Sequence, residues 1–288
     1  MELGILSQTI VNSITLSSMY ILMALGFALM LSIMGILNFA HGAIYMVGGY
    51  ICYWLSIRLH LNTGLSLLIS ALTMGLFGLF LERYFLRPFQ GKDPNRTIFV
   101  TIAMIFILEG LVNFLMGGYR KSVPALIPGS FKYGPVAVSG QRAITFIIGC
   151  ILLVGLMIFI KKTRTGKQML AISQDIIGAS LQGIKIHRVS ALATSISCAL
   201  AGVTGSLLGS ILQLSPYMGD IMLVKAVEVV VLAGIGSISG VPIAGLILGT
   251  IDATLPIFSS GSTADAIGLG LIIVILIFRP QGLFGHEL

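Results

Sequence analysis

Apolar runs long enough to cross a bilayer follow one another along nearly the whole chain, and they constrain the fold more than any motif does. Thr9–Met34, Leu65–Leu86, Thr97–Met116, Ala143–Ile160 and Val189–Leu214 are such runs. A helix needs roughly 17–25 apolar residues to span a ~30 Å hydrocarbon core. This much apolar surface cannot be hidden inside a water-soluble domain. Charged residues are only 9% of the 288, against about 25% in soluble domains, and the mean hydropathy is +1.03. Lipid is therefore the solvent, and only helices or closed barrels satisfy their backbone polar groups there. The runs are continuous rather than alternating, which selects helices. The expected fold class is all-α: a polytopic helical membrane protein forming a single transmembrane domain over residues 1–288.

The interruptions carry the functional information. The first run breaks at Gly35-Ile-Leu-Asn-Phe-Ala-His-Gly42, and the apolar piece that follows, to Ile57, is short for a span. Ile221–Ile235 is also short, breaks at Gly234-Ile-Gly-Ser-Ile-Ser-Gly240, and is followed by the short run Val241–Ile257. One broken helix in each half of a chain is the sequence mark of an inverted internal repeat with a translocation path between its halves. Backbone N–H and C=O groups freed at lipid depth must face protein or a wet cavity, where they can meet a polar solute. The expected path residues are Asn38, Phe39, Ala40, His41 and Gly42 from the first break, and Gly234, Gly236, Ser237 and Gly240 from the second. For Asn38 and His41 the plainer reading is a loop at the membrane interface, or an imidazole that pins a neighbouring helix.

Lys161–Arg188 is the longest polar stretch and carries six basic residues: Lys161, Lys162, Arg164, Lys167, Lys185 and Arg188. Short Lys/Arg-rich loops stay cytoplasmic, so it orients the spans beside it. A single amphipathic helix is expected within it, with Met169, Leu170, Ile172, Ile176, Ile177, Leu181 and Ile184 on one side. Such a helix can lie on the membrane, pack into the spans or dock a soluble partner. Starting outside, nine passes or part-passes bring the chain back inside, with eleven basic residues in inside segments and five outside. The inside set includes Arg83, Arg87, Lys92, Arg96 and Arg279; the outside set is Arg58, Arg120, Lys121, Lys132 and Arg142. The net charge of +7 is explained by spans and lipid headgroups and calls for no nucleic acid. The segment ahead of Thr9 is acidic at Glu2, so the first run reads as a retained span and not as a cleaved leader.

Little in the sequence suggests catalysis. Cys52, Cys150 and Cys198 lie inside apolar runs as packed thiols. There is no nucleophile triad, no metal cluster and no call for a cofactor, and Gly234–Gly240 lacks the Gly-Lys-Ser/Thr end of a phosphate-binding loop. Lys225 and Glu228 are spaced to pair on a helix. Glu109 and Asp252 are intramembrane acids, and no spacing brings them to one place. An ion-coupled carrier would need acids such as Glu109, Glu228 or Asp252 on one path.

Ile36-Leu-Asn-Phe-Ala-His-Gly42, Thr165-Gly-Lys-Gln-Met-Leu-Ala171 running to Gln174-Asp175, then Ala179 and Gly183-Ile184, and finally Leu232-Ala-Gly-Ile-Gly-Ser-Ile-Ser-Gly240 occur in this order. Together they resemble the LivH-type permease of branched-chain amino acid ABC importers, over nearly the whole chain. The resemblance implies a non-enzymatic transport subunit of the bacterial inner membrane, with ATP hydrolysis on separate subunits. It implies that 161–188 is a cytoplasmic coupling loop docking on an ATPase through Asp175, Ala179, Gly183 and Ile184. The implied partners are a second, LivM-like permease, two ATP-binding subunits and an extracytoplasmic substrate-binding protein. The implied solutes are branched-chain amino acids, with urea, short amides or other amino acids carried by relatives.

Overall fold

The computed structural model describes residues 2–89, 94–133, 136–258, 261–279 and 281–284. The apolar runs fold as helices: α1 (Glu2–Met34), α2 (His41–Arg58), α3 (Thr63–Leu81), α4 (Pro94–Met116), α5 (Gly140–Lys162), α8 (Ile186–Leu208), α9 (Met218–Ala233), α10 (Val241–Phe258) and α11 (Gly261–Phe278). These correspond to the nine expected passes or part-passes. Among the described residues, five helices are long and apolar enough to cross a membrane, namely α1, α3 with its extension to Phe89, α4, α5 and α8. α6 (Arg164–Gln174) and α7 (Ile176–Leu181) fill the central polar stretch. The outer loop adds a small antiparallel hairpin, β1 (Ser130–Tyr133) with β2 (Val136–Ser139), pairing Phe131 with Val138. Lys92 lies outside the described residues.

α1 and α8 are the centre of the bundle. α3 and α2 pack on α8, and α10 packs along α1, antiparallel to it: Gly245 meets Ile21, and Gly249 meets Ser17. Between membrane helices close approach replaces the hydrophobic drive, so small residues line the contacts. Gly48 faces Gly202, Gly205 rests on the Tyr45 carbonyl, and Gly42 faces Gly219, each backbone to backbone with no room for a Cβ. Hydroxyls on α8 and α3 donate to neighbouring helix carbonyls: Ser197 Oγ to Gly26 at 2.6 Å, Ser195 Oγ to Gly75 at 2.8 Å and Ser70 Oγ to Gly48 at 2.7 Å.

α3 ends in a wide turn, residues 82–86, with π-type hydrogen bonding. Glu82 is fully buried there and receives two bonds from Arg87, Nε at 3.1 Å and Nη2 at 2.9 Å. One cation of the inside loop is thus committed to an ion pair. The central polar stretch departs from expectation. It is two helices and not one, because Asp175 leaves the helical region (φ −153°, ψ 103°) and caps α7 through its side chain.

Candidate translocation and coupling site

The first break is built by a glycine and an asparagine. α1 stops where Gly35 turns to φ +63° with its N–H on the Leu31 carbonyl at 2.9 Å, a left-handed stop that glycine adopts without Cβ strain. The chain then doubles back beside α1. Asn38 Oδ1 accepts the Ala40 N–H at 3.1 Å, and the Asn38 carbonyl accepts the His41 N–H at 3.1 Å, so α2 restarts with two of its opening donors satisfied. Asn38, Ala40, His41 and Gly42 are buried and Phe39 is half-buried. The His41 imidazole tilts against the Phe27 ring, centroids 5.9 Å apart, and faces the Met23 carbonyl. Gly26 makes its space: a Cβ there would lie 3.1 Å from the imidazole. Gly26 is bonded to Ser197, the midpoint of α8. The His41 end of the break therefore lies level with the middle of α8.

The second break lies elsewhere. Gly234 (φ +102°) and Gly236 (φ +91°) both take backbone conformations that a side chain resists. Ser237 N–H bonds the Gly234 carbonyl at 3.0 Å, and Ser237 Oγ accepts the Gly240 N–H at 3.3 Å. Pro242, just beyond, lines an apolar groove with Met157, Ile158, Lys161 and Lys162 at the basic end of α5. Ile235 is 70% exposed. This break lies beside the basic end of α5, and the short segment 281–284 after α11 covers part of it: Leu283 and Phe284 N–H donate to the Leu232 and Ala233 carbonyls, both at 2.9 Å.

The central stretch forms a rigid projection. Thr163 caps α6, its Oγ1 accepting the Gly166 N–H at 3.0 Å, and Gly166 presses on the Phe159 and Ile160 backbone where no Cβ fits. Met169 and Ile172 turn inward and are buried. Asp175 Oδ1 accepts the Ile177 N–H at 2.9 Å, and Ala179 is buried. Gly183 (φ +78°) closes α7: its N–H meets the Ser180 carbonyl at 2.9 Å and the Ile184 N–H meets the Ala179 carbonyl at 3.1 Å, the double bond of a Schellman stop. The four residues singled out for coupling, Asp175, Ala179, Gly183 and Ile184, thus shape one short turn. What that turn presents is Ile177, 70% exposed, and Leu181, 83% exposed, beside the basic ends of α5 and α8.

The intramembrane charges fall into two groups. Lys225 Nζ lies 3.3 Å from Glu228 and 2.9 Å from Asp252, and the Tyr20 hydroxyl donates to Asp252 at 2.9 Å. α1, α9 and α10 are tied there. Glu109 instead approaches Asp220 at the start of α9. The Lys225–Glu228 pair is the spacing seen in the sequence; Asp252 joins only because α10 packs back on α9.

The family described as "Branched-chain amino acid transport system / permease component" matches residues 9–277. The chain belongs to this family. It is 32% identical to the high-affinity branched-chain amino acid transport system permease protein BraD of Pseudomonas aeruginosa, over 97% of this chain and 95% of that protein. It is 33% identical to the corresponding permease protein LivH of Escherichia coli K12 over the same shares. A probable branched-chain amino acid transport permease protein LivH of Methanocaldococcus jannaschii is 25% identical over 96% of this chain and 91% of that protein. The chain is thus a transport permease subunit of the membrane and not an enzyme. In this permease the apolar pattern puts Ile177 and Leu181 on one face with Met169 and Ile172, and only the fold separates the exposed pair from the buried one. The local sign of the division is Asp175: an Asx residue followed by a short apolar turn is a helix-start mark.

Proposed function

We propose that this permease forms the path for branched-chain amino acids through the bacterial inner membrane, in an ABC importer powered by separate ATPases. The observation that carries the reading is α7. A capped, six-residue turn holds two bulky apolar side chains outward at the basic end of a chain that has no phosphate-binding loop. Apolar side chains held in water at the end of a membrane bundle gain by docking a soluble subunit. In this reading residues 161–188 are the coupling loop, and Asp175, Ala179, Gly183 and Ile184 give it its shape.

The path runs past Asn38–Gly42 at mid-span and past Gly234, Gly236, Ser237 and Gly240 at the cytoplasmic side. The positive-φ glycine that opens each break, Gly35 and Gly234, supports the view that the two are related halves of an inverted repeat. A second, LivM-like permease, two ATP-binding subunits and an extracytoplasmic binding protein complete the system. Alternating access follows from the ATPases binding two states of the pair with different affinity. The names of the relatives favour leucine, isoleucine and valine as solutes.

The test is uptake of labelled leucine into proteoliposomes holding the complete complex. Uptake should require binding protein and hydrolysable ATP and should ignore an ionophore. Asp175→Arg with Gly183→Trp should strip the ATPases from the purified complex. Uptake by this chain alone on an ion gradient would establish the secondary-carrier alternative instead.

A further inference from the structure

We propose that residues 281–284 form a detachable strap that holds the second break shut and must leave it during transport. A helix ends with carbonyls that have no partner of their own. In α9 two of these, on Leu232 and Ala233, are taken by the N–H groups of Leu283 and Phe284, both at 2.9 Å. The strap also touches both sides of the break. Gly282, at φ +77°, lies so close to Gly234 that a Cβ on Gly282 would meet the Gly234 backbone. Phe284 lies over Gly240, 3.0 Å from its Cβ to where a Gly240 Cβ would stand. The segment reaches this position by a turn off α11, with Arg279 N–H on Ile275 at 2.7 Å and Gly282 N–H on Arg279 at 2.9 Å.

Two features make this a releasable contact and not merely a packed tail. The strap is held by two backbone hydrogen bonds, the Gly282 backbone on Gly234, the half-buried Leu283 and one ring, and its outer end is open: Phe284 is 39% exposed, so its contacts can exchange for water at the cytoplasmic face. The break it covers contains glycines at φ +102° and +91°, a backbone able to change shape once uncovered. Farther into the membrane α9 and α10 stay joined through Lys225 and Asp252 at 2.9 Å. The pair of helices thus has a fixed tie on the membrane side of the break and a removable one on the other. This inference rests on the transport reading above, since release matters only if the break moves.

The test is a Gly240→Cys, Phe284→Cys chain with Cys52, Cys150 and Cys198 replaced by alanine. The two Cβ positions, 3.0 Å apart, are about 0.5 Å closer than the roughly 3.5–4.5 Å of a disulfide, so the bridge forms with a small outward shift of the half-exposed end of the strap. The complete complex is reconstituted and ATP-driven leucine uptake is measured after mild oxidation and again after reduction. The expected result is at least a tenfold loss on crosslinking, restored by reductant, with neither single-cysteine chain responding. Uptake by the crosslinked complex within twofold of the reduced rate overturns the strap. Uptake by the wild-type complex, run in parallel, tests the transport reading separately. If the double-cysteine chain does not assemble, Phe284→Ala decides: the strap predicts several-fold more ATP hydrolysed per leucine at unchanged ATPase content, and an unchanged ratio refutes it.

Discussion

Ile177→Ala with Leu181→Ala in α7 gives the sharpest test of how force reaches this permease. Burying a whole Leu or Ile side chain is worth about 1.5–3 kcal/mol. Ile177 and Leu181 are 70% and 83% exposed in the isolated chain, so most of that gain is available only on docking. Truncation to alanine keeps the Cβ, which leaves a loss of about 1.5 kcal/mol per site and about 3 kcal/mol for the pair. At 1.4 kcal/mol per factor of ten, ATPase binding should weaken on the order of 100-fold. The permease itself should melt unchanged in detergent, because neither side chain packs inside it. The assay is titration of purified ATPase onto immobilised permease, alongside thermal unfolding of the permease alone. Wild-type affinity, or a melting point lowered as for a core truncation, would refute the assignment of this turn as the coupling surface.

Asp175→Ala should act differently, removing a cap worth about 1 kcal/mol, loosening α7 and weakening ATPase binding by less than tenfold. Gly205→Ala should cost about 1–3 kcal/mol through overpacking, since its Cβ would enter the Tyr45 carbonyl; thermal unfolding in detergent reads this. Arg87→Ala leaves the buried Glu82 carboxylate without its two donors and should destabilise by about 3 kcal/mol, the low end for a broken buried pair because Arg87 itself reaches water. The same assay should show Arg83→Ala near neutral. Lys225→Met should destabilise strongly, with Lys225→Met plus Asp252→Asn recovering part of the loss, because the single change leaves two carboxylates in the bundle without their cation.

The sequence made some of this readable and hid the rest for identifiable reasons. Span lengths follow from apolar content, and both glycine breaks appear as composition changes. The division of the central stretch at Asp175 was concealed because its apolar period runs on across the cap, so a pattern count sees one helix. Met169 and Ile172 differ from Ile177 and Leu181 only in which neighbours the tertiary fold supplies. The meeting of Asp252 with Lys225 depends on α10 folding back along α9, and the closure of Leu232 by Leu283 joins residues about fifty apart; neither has a local signature. The surroundings of the two breaks are also tertiary, set by where Gly26 crosses Ser197 and where Pro242 meets the end of α5. The hairpin has little local signal because its strands are only four residues each.

The contacts of α2 with its neighbours have a consequence for how such a protein can diverge. Where Gly48 meets Gly202 and Gly42 meets Gly219, main chain lies on main chain, and no compensating pair of side chains exists to be exchanged. Drift at one position cannot be rescued by drift at the other, as it can between two interlocking leucines. Any diversification of solute preference in this architecture must therefore be written on other surfaces, with these crossings left as they are.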